Sequence, residues 1–154
     1  MKAKCLDVYF LQDTWLEDDE FDIDAGGYHV FRHNGPNGNH LHHRVAIVLS
    51  LCYYAGWKAA GAAPPITTNT ASEFVGRFIG ITIKLEIRDK RGRTVKGKKK
   101  KETSLLLSLV SAYHSCRTGE DHTQFLDIVD TLLSKLLPSD IVMGADINAN
   151  VGHA

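Results

Sequence analysis

The chain has 154 residues, 44% of them hydrophobic and 23% charged, and a formal net charge of +0. That length suits one core and is short for two ordinary domains, and a neutral chain has no overall attraction for a polyanion, so any electrostatic function must rest on local clusters. Cys5, Cys52 and Cys116 are far apart and in no paired spacing, no apolar run reaches a membrane span, and residues 1–7 are not signal-like; these features argue against a disulfide framework, a zinc knuckle and a membrane anchor, and for a soluble protein in a reducing, intracellular compartment.

Residues 6–12 are apolar and partly β-branched or aromatic and stop at Asp13, Thr14 and Trp15, which predicts a buried strand ending at Asp13. An acidic block follows, with six of the 18 acidic residues between Glu17 and Asp24, and it reads as a solvated loop that would repel DNA. Residues 28–32 alternate like a short strand, and the glycine, proline and asparagine signals of residues 34–39 predict a loop. Residues 45–51 form a continuous apolar run of strand length, and residues 53–60 suit a short helix ended by Gly61 and the Pro64, Pro65 pair.

Residues 74–87 predict a long strand with β-branched Ile79, Ile81, Ile83 and Ile87, paired with residues 105–113. The loop between them, residues 89–103, lies within the stretch from Arg88 to Lys101 that holds nine of the 18 Lys and Arg residues. Asp121 followed by Gln124 resembles a capping box, and Phe125, Ile128, Val129, Leu132, Leu133 and Leu136 recur at helical spacing until Pro138. Residues 140–146 then return to a buried strand through Ile141, Val142 and Met143, ending in a polar turn. Strands outnumber helices and no internal repeat is present, so the expected class is α/β, with sheet-on-sheet packing compatible.

Asp146 and Asn148 are two apart at a strand end, so an extended backbone sends both side chains to one face, where one can bind an ion and the other a substrate oxygen. Ordinary turn chemistry is the competing explanation. Asp13 is likewise the first carboxylate after a strand, and Gln12 beside it could position that group; alone such a residue is more often a strand-terminating acid, and it gains interest only together with Asp146. Tyr113 ends its strand with a phenol suited to a phosphate oxygen, or serves as a routine core-edge residue. Lys98, Lys99, Lys100 and Lys101 head a cluster that could track a phosphate backbone, act as a nuclear import signal, or be a solvated loop without interleaved aromatics for base stacking. His40, His42 and His43 lack cysteine or acidic partners at ligand spacing, which argues against a metal site there.

Taken in order, these motifs resemble the endonuclease/exonuclease/phosphatase (DNase I-like) superfamily, in the form carried by non-LTR retrotransposons. Leu11, Gln12, Asp13, Thr14 and Trp15 resemble its Leu-Gln-Glu-Thr-Trp signature, residues 110–113 the strand before its active-site tyrosine, and residues 140–148 its Gly-Asp-Phe-Asn element. Residues 44–50 followed by 55–61 also resemble the stretch between the first two motifs, so the likeness runs from about Leu6 to Gly152.

The resemblance implies a four-layer α/β/β/α sandwich and a phosphodiesterase using Mg2+ (or Mn2+), with DNA as partner and water as nucleophile. Asp13 would take the metal-binding position, Tyr113 the phosphate-contacting tyrosine, Asp146 the acid that orients or activates water and shares the metal, and Asn148 the phosphate-binding asparagine. Family members also have an asparagine-bearing strand before the glutamate and an Asp, His pair near the end, which these residues do not supply. His114 and His153 do not match the family histidine. Asp13 is one methylene shorter than glutamate, and displacements of about 1 Å can cost on the order of a hundredfold in rate. The expectation is one partial domain over residues 1–154, incomplete at both ends, that is weak or inactive as a nuclease. A phosphoinositide or other small phosphate-ester phosphatase on the same fold, and a non-catalytic nucleic-acid or protein-binding module, are the alternatives.

Overall fold

The structure, a computed structural model, describes residues 7–12, 14, 23–33, 44–68, 74–86, 104–114, 122–136 and 139–147. In chain order the elements are β1 (Val8–Gln12), β2 (Ile23–Asp24), β3 (Tyr28–His33), β4 (Val45–Ser50), α1 (Leu51–Ala59), β5 (Ile66–Thr67), β6 (Phe78–Glu86), β7 (Ser104–His114), α2 (His122–Leu133) and β8 (Asp140–Ile147). The class is mixed α/β, mostly strand, with two four-stranded sheets in the orders β1-β4-β3-β2 and β5-β6-β7-β8. Every pairing is antiparallel except β7 with β8. A parallel pair cannot be joined by a tight turn, and the crossover between these two strands carries α2.

Alternation along β6 and β7 explains why both are buried on both faces. Ile79, Ile81 and Ile83 of β6 and Leu109 and Tyr113 of β7 join Phe31, Val45, Ile47 and Leu49 of the first sheet in one core, with Tyr54 and Trp57 of α1. The alternate positions Phe78, Val110 and Ala112 join Phe74 and the α2 residues Phe125, Val129 and Leu132, with Leu136 beyond the helix, in a second core. The helical spacing in the sequence thus marks the buried stripe of α2.

α1 begins one residue after the strand that precedes it and ends at Ala59; Gly61, at φ 104°, carries the chain into the turn that the sequence anticipates. Gly56 lies so close to β6 that a Cβ there would stand 2.9 Å from the Lys84 carbonyl oxygen. β2 and β3 form a hairpin closed by Ala25 and Tyr28, with Gly26 at φ 61° and Gly27 at φ 91°. Two successive positive φ values fit the tight turn that a right-twisted hairpin favours.

Four expectations need correction. The first strand, expected to be buried, is half-buried along β1 with Leu11 exposed. The strand expected over residues 74–87 starts at Phe78, because Phe74 to Gly76 form a turn, with Gly76 at φ 79° and the Arg77 N–H donating to the Phe74 carbonyl. β8 is extended as expected but not buried: Ile141, Val142 and Met143 are 46%, 44% and 44% exposed. Its apolar run resembles that of a central parallel strand, yet among the described residues it pairs with β7 alone and stands at the edge of its sheet. Part of the expected acidic loop is strand β2, while Glu17, Asp18, Asp19, Glu20 and Asp22 lie outside the described residues. Also outside are the loop of residues 34–39, His40, His42 and His43, the basic loop of residues 89–103, and Asp121 of the expected capping box. No described helix is long and apolar enough to cross a membrane.

Candidate functional site

The arrangement of interest begins at the end of β1. Phe10 is the register partner of Ile47 and Gln12 that of Val45, both core residues, so Phe10 and Gln12 share the core-facing side of the first sheet. β1 crosses β8 at Gly144, where a Cβ would stand 2.4 Å from Phe10 Cβ and 2.6 Å from Phe10 Cγ. Glycine is therefore a steric requirement of this crossing, since real carbon contacts do not come so close.

Hydrogen bonds fix the same point. The Gln12 side-chain amide Nε2 donates to Ser111 Oγ at 3.2 Å and to the Gly144 carbonyl at 3.1 Å. Ser111 Oγ, fully buried, donates in turn to the Leu11 carbonyl at 3.1 Å. Both amide hydrogens of Gln12 are thereby used, and the serine accepts on one side and donates on the other. The end of β1 is tied to β7 and β8 across the gap between the sheets.

Ser111 and Gly144 are register partners, and two residues further along Tyr113 and Asp146 are the next pair on the same face. The Tyr113 ring is 8% exposed and belongs to the core shared by the sheets, and Asp146 is exposed. Two expected site residues are thus neighbours, beside the strand end that leads to Asp13. Asp13 and Asn148 themselves lie outside the described residues, as do Lys98, Lys99, Lys100 and Lys101.

His114 follows Tyr113 but belongs to the opposite face. It is fully buried, stacks on His122 with ring centroids 4.1 Å apart, and meets Phe125 edge-on at 4.8 Å. Strand alternation sends it under α2, away from Asp146, so it cannot stand in for a histidine at the Tyr113 end. His153 lies outside the described residues.

Among the described residues no group of three or more His, Cys, Asp and Glu could hold a metal ion. Of these residues, Asp146 alone offers an exposed carboxylate at this end. One carboxylate is at most part of the donor set of a hard, hydrated cation, since magnesium takes one or two carboxylates and keeps water or phosphate oxygen as its other ligands. It does not fit a dehydrated all-protein cage. Ser111 and Gly144, which no motif in the sequence marks, build the geometry. Their only sequence signal is a polar residue and a glycine each two positions before Tyr113 and Asp146. No protein family, curated protein or solved structure was found to match the chain.

Proposed function

We propose that the chain is an endonuclease/exonuclease/phosphatase-type domain of the retrotransposon kind, whose reaction is hydrolysis of a DNA phosphodiester with Mg2+ or Mn2+, with weak or no turnover from these 154 residues. One observation supports the reading: Gln12 of the first sheet reaches across to the Ser111 and Gly144 row of the second, two residues from the register pair Tyr113 and Asp146. A core common to both sheets and a helix on the far side of β6 and β7 support the β/β/α part of a four-layer α/β/β/α sandwich.

In this reading Asp146 orients and deprotonates the attacking water, the Tyr113 hydroxyl donates to a phosphate oxygen, and the Asn148 amide holds another. Asp13 and Asp146 would hold the cation, which supplies charge neutralisation at the scissile phosphate and at the departing oxygen. The 154 residues contain no Asp, His pair matching that of the family after Asn148, and loss of even one such electrostatic contributor costs roughly a hundredfold or more.

The test compares wild type with Asp146→Ala for Mn2+ binding and for nicking of supercoiled DNA in Mg2+ and in chelator. The expected result is Mn2+ binding that Asp146→Ala removes and little nicking by either protein. Mn2+ binding indifferent to Asp146→Ala would sink the site, and strong nicking abolished by the substitution would overturn weak turnover.

A second reading, a non-catalytic binding module, is favoured by the exposed edge strand β8 with Ile141, Val142 and Met143. Binding of DNA in either reading falls to the basic loop. Neutral replacements of Lys98, Lys99, Lys100 and Lys101 should weaken DNA binding and flatten its salt dependence, by up to about 0.9 in logarithmic slope for each phosphate no longer neutralised. An unchanged slope would return the loop to solvent.

A further inference from the structure

Among the described residues the sheet edges differ in length. β2 and β5 have two residues each and β1 has five, whereas β8 has eight, paired with β7 in unbroken register from Asp140 to Ile147. Edge strands are ordinarily blunted by shortness, a bulge, a proline or a lysine, and β8 has none of these. Its apolar residues are exposed on both faces of the sheet. Ile141 and Met143 are the register partners of Ser108 and Val110 on the α2 side, and Val142 is that of Leu109 on the side of the first sheet.

We infer that β8 is the docking edge for a second copy of this chain, whose own β8 runs antiparallel to it about a two-fold axis at Val142, so that two four-stranded sheets join edge to edge. This does not rest on the nuclease reading.

The charges and apolar residues of the strand select both the partner and the register. In a two-fold antiparallel pair that continues a sheet, opposite residues must point to the same side, so the axis falls on a residue. An axis at Met143 sets Asp140 opposite Asp146 twice over, and like charges directly opposite are destabilising. An axis at Gly144 sets Val142 against Asp146, and one at Ile141 sets Val142 against Asp140. Axes further towards either end set an aspartate against its own copy or leave Ile141 without a partner in β8.

The axis at Val142 pairs Val142 with itself and Ile141 with Met143 on either side, while Asp140 meets Gly144, which has no side chain. Both Asp146 carboxylates then fall outside the paired residues Asp140 to Gly144. The strand is thus its own complement in charge and in apolar pattern. A basic peptide would find carboxylates only towards the ends of β8, with the three exposed apolar residues between them, and nucleic acid would be repelled by those carboxylates. So short a paired stretch is a small interface, below about 1,200 Å2 in total, and its association is weak.

Sedimentation of the full chain from micromolar concentrations to about 1 mM reads that association. Val142→Lys sets two ammonium groups face to face on the axis and should weaken the dimer by at least roughly tenfold. Leu126→Lys, at an exposed apolar residue of α2 away from the strand, should leave it unchanged. Val142→Cys reads the register under mild oxidation. Opposite residues have Cβ atoms about 4.5–5.5 Å apart, within disulfide reach, whereas thiols from Met143→Cys would be diagonal neighbours at about 7–8 Å and out of reach. Peptide masses locate each link, so that any through exposed Cys52 is counted apart.

The expected result is a reversible dimer that Val142→Lys disperses, Leu126→Lys spares and Val142→Cys traps through residue 142. A chain that stays monomeric throughout the range overturns the inference and leaves β8 to a different partner. A dimer indifferent to Val142→Lys, lost equally in Leu126→Lys, or trapped by Met143→Cys and not by Val142→Cys overturns it as well.

Discussion

The two faces of β7 solve opposite problems with the same residue type. Ser108 and Ser111 are both fully buried, three positions apart on one strand. Ser108 faces the α2 side and bonds to Thr82 and Ser139, stitching neighbouring strands of its own sheet. Ser111 faces the other sheet and bonds to Gln12 and Leu11 of β1. Adjacent Tyr113 and His114 divide in the same way, the phenol beside Asp146 and the imidazole between His122 and Phe125. Both faces of β7 thus pack into a core, and the one toward the first sheet also carries the polar tie that links the two sheets, although their sequences interleave residue by residue.

The largest effect is expected on the α2 face. Phe125 is 1% exposed, in the second core with Phe74, Phe78 and Val129. Phe125→Ala should cost about 3–5 kcal/mol of unfolding free energy, the range for a buried aromatic truncated to a methyl. Urea melts measure it. Where the variant is still folded, its Mn2+ affinity should match wild type, and a loss there would show that the two faces are not separable.

Next in size is the crossing of the sheets. Gly144→Ala places a Cβ where Phe10 already stands, and since the contact is with Phe10 Cβ and Cγ rather than with a flexible chain end, β1 must move. Overpacking of this kind costs typically about 1–3 kcal/mol. In contrast to Phe125→Ala, Gly144→Ala should also weaken Mn2+ binding, because the displaced strand is the one that leads to Asp13. Destabilisation with unchanged affinity would mean that the end of β1 is not part of the site.

Much of the fold was legible because it is local. The alternation of Ile79, Ile81 and Ile83, the pairing of the two long strands and the stripe Phe125, Val129 and Leu132 all follow from periodicity within one element. β2 and β5, each of two residues, are too short for any periodicity to register. Gly26 and Gly27 were the available signal for the first hairpin, overshadowed by the acids before them. The exposure of β8 was not legible, since an apolar run reports what a strand can bury and not how many neighbours it has.

The candidate site divides along the same line. Strand-end placement of Tyr113 and Asp146 follows from the local run of each strand, and their adjacency follows once the strands pair in register. The contacts that Gln12 makes span 99 and 132 residues of sequence, so no local pattern could announce them. A glutamine next to an acid suggests support for that acid, but only the fold shows that its amide grips the opposite sheet.

The smallest expected effect is the sharpest for function. Asp146 is exposed, and among the described residues it makes no ion pair and no side-chain hydrogen bond that would hold the fold. Substitutions at such surface positions usually change stability by less than about 0.5 kcal/mol. Asp146→Ala should therefore melt with wild type within that margin while losing Mn2+ binding, whereas Phe125→Ala does the reverse. A carboxylate kept at a strand end for a cation is solvated in the cation's absence, so folding neither gains from it nor strains against it. A loss above about 1.5 kcal/mol, the scale of a hydrogen bond to a charged group, would instead make Asp146 a structural acid that fixes the end of β8. The two outcomes are far enough apart for a single pair of denaturation curves to decide between them.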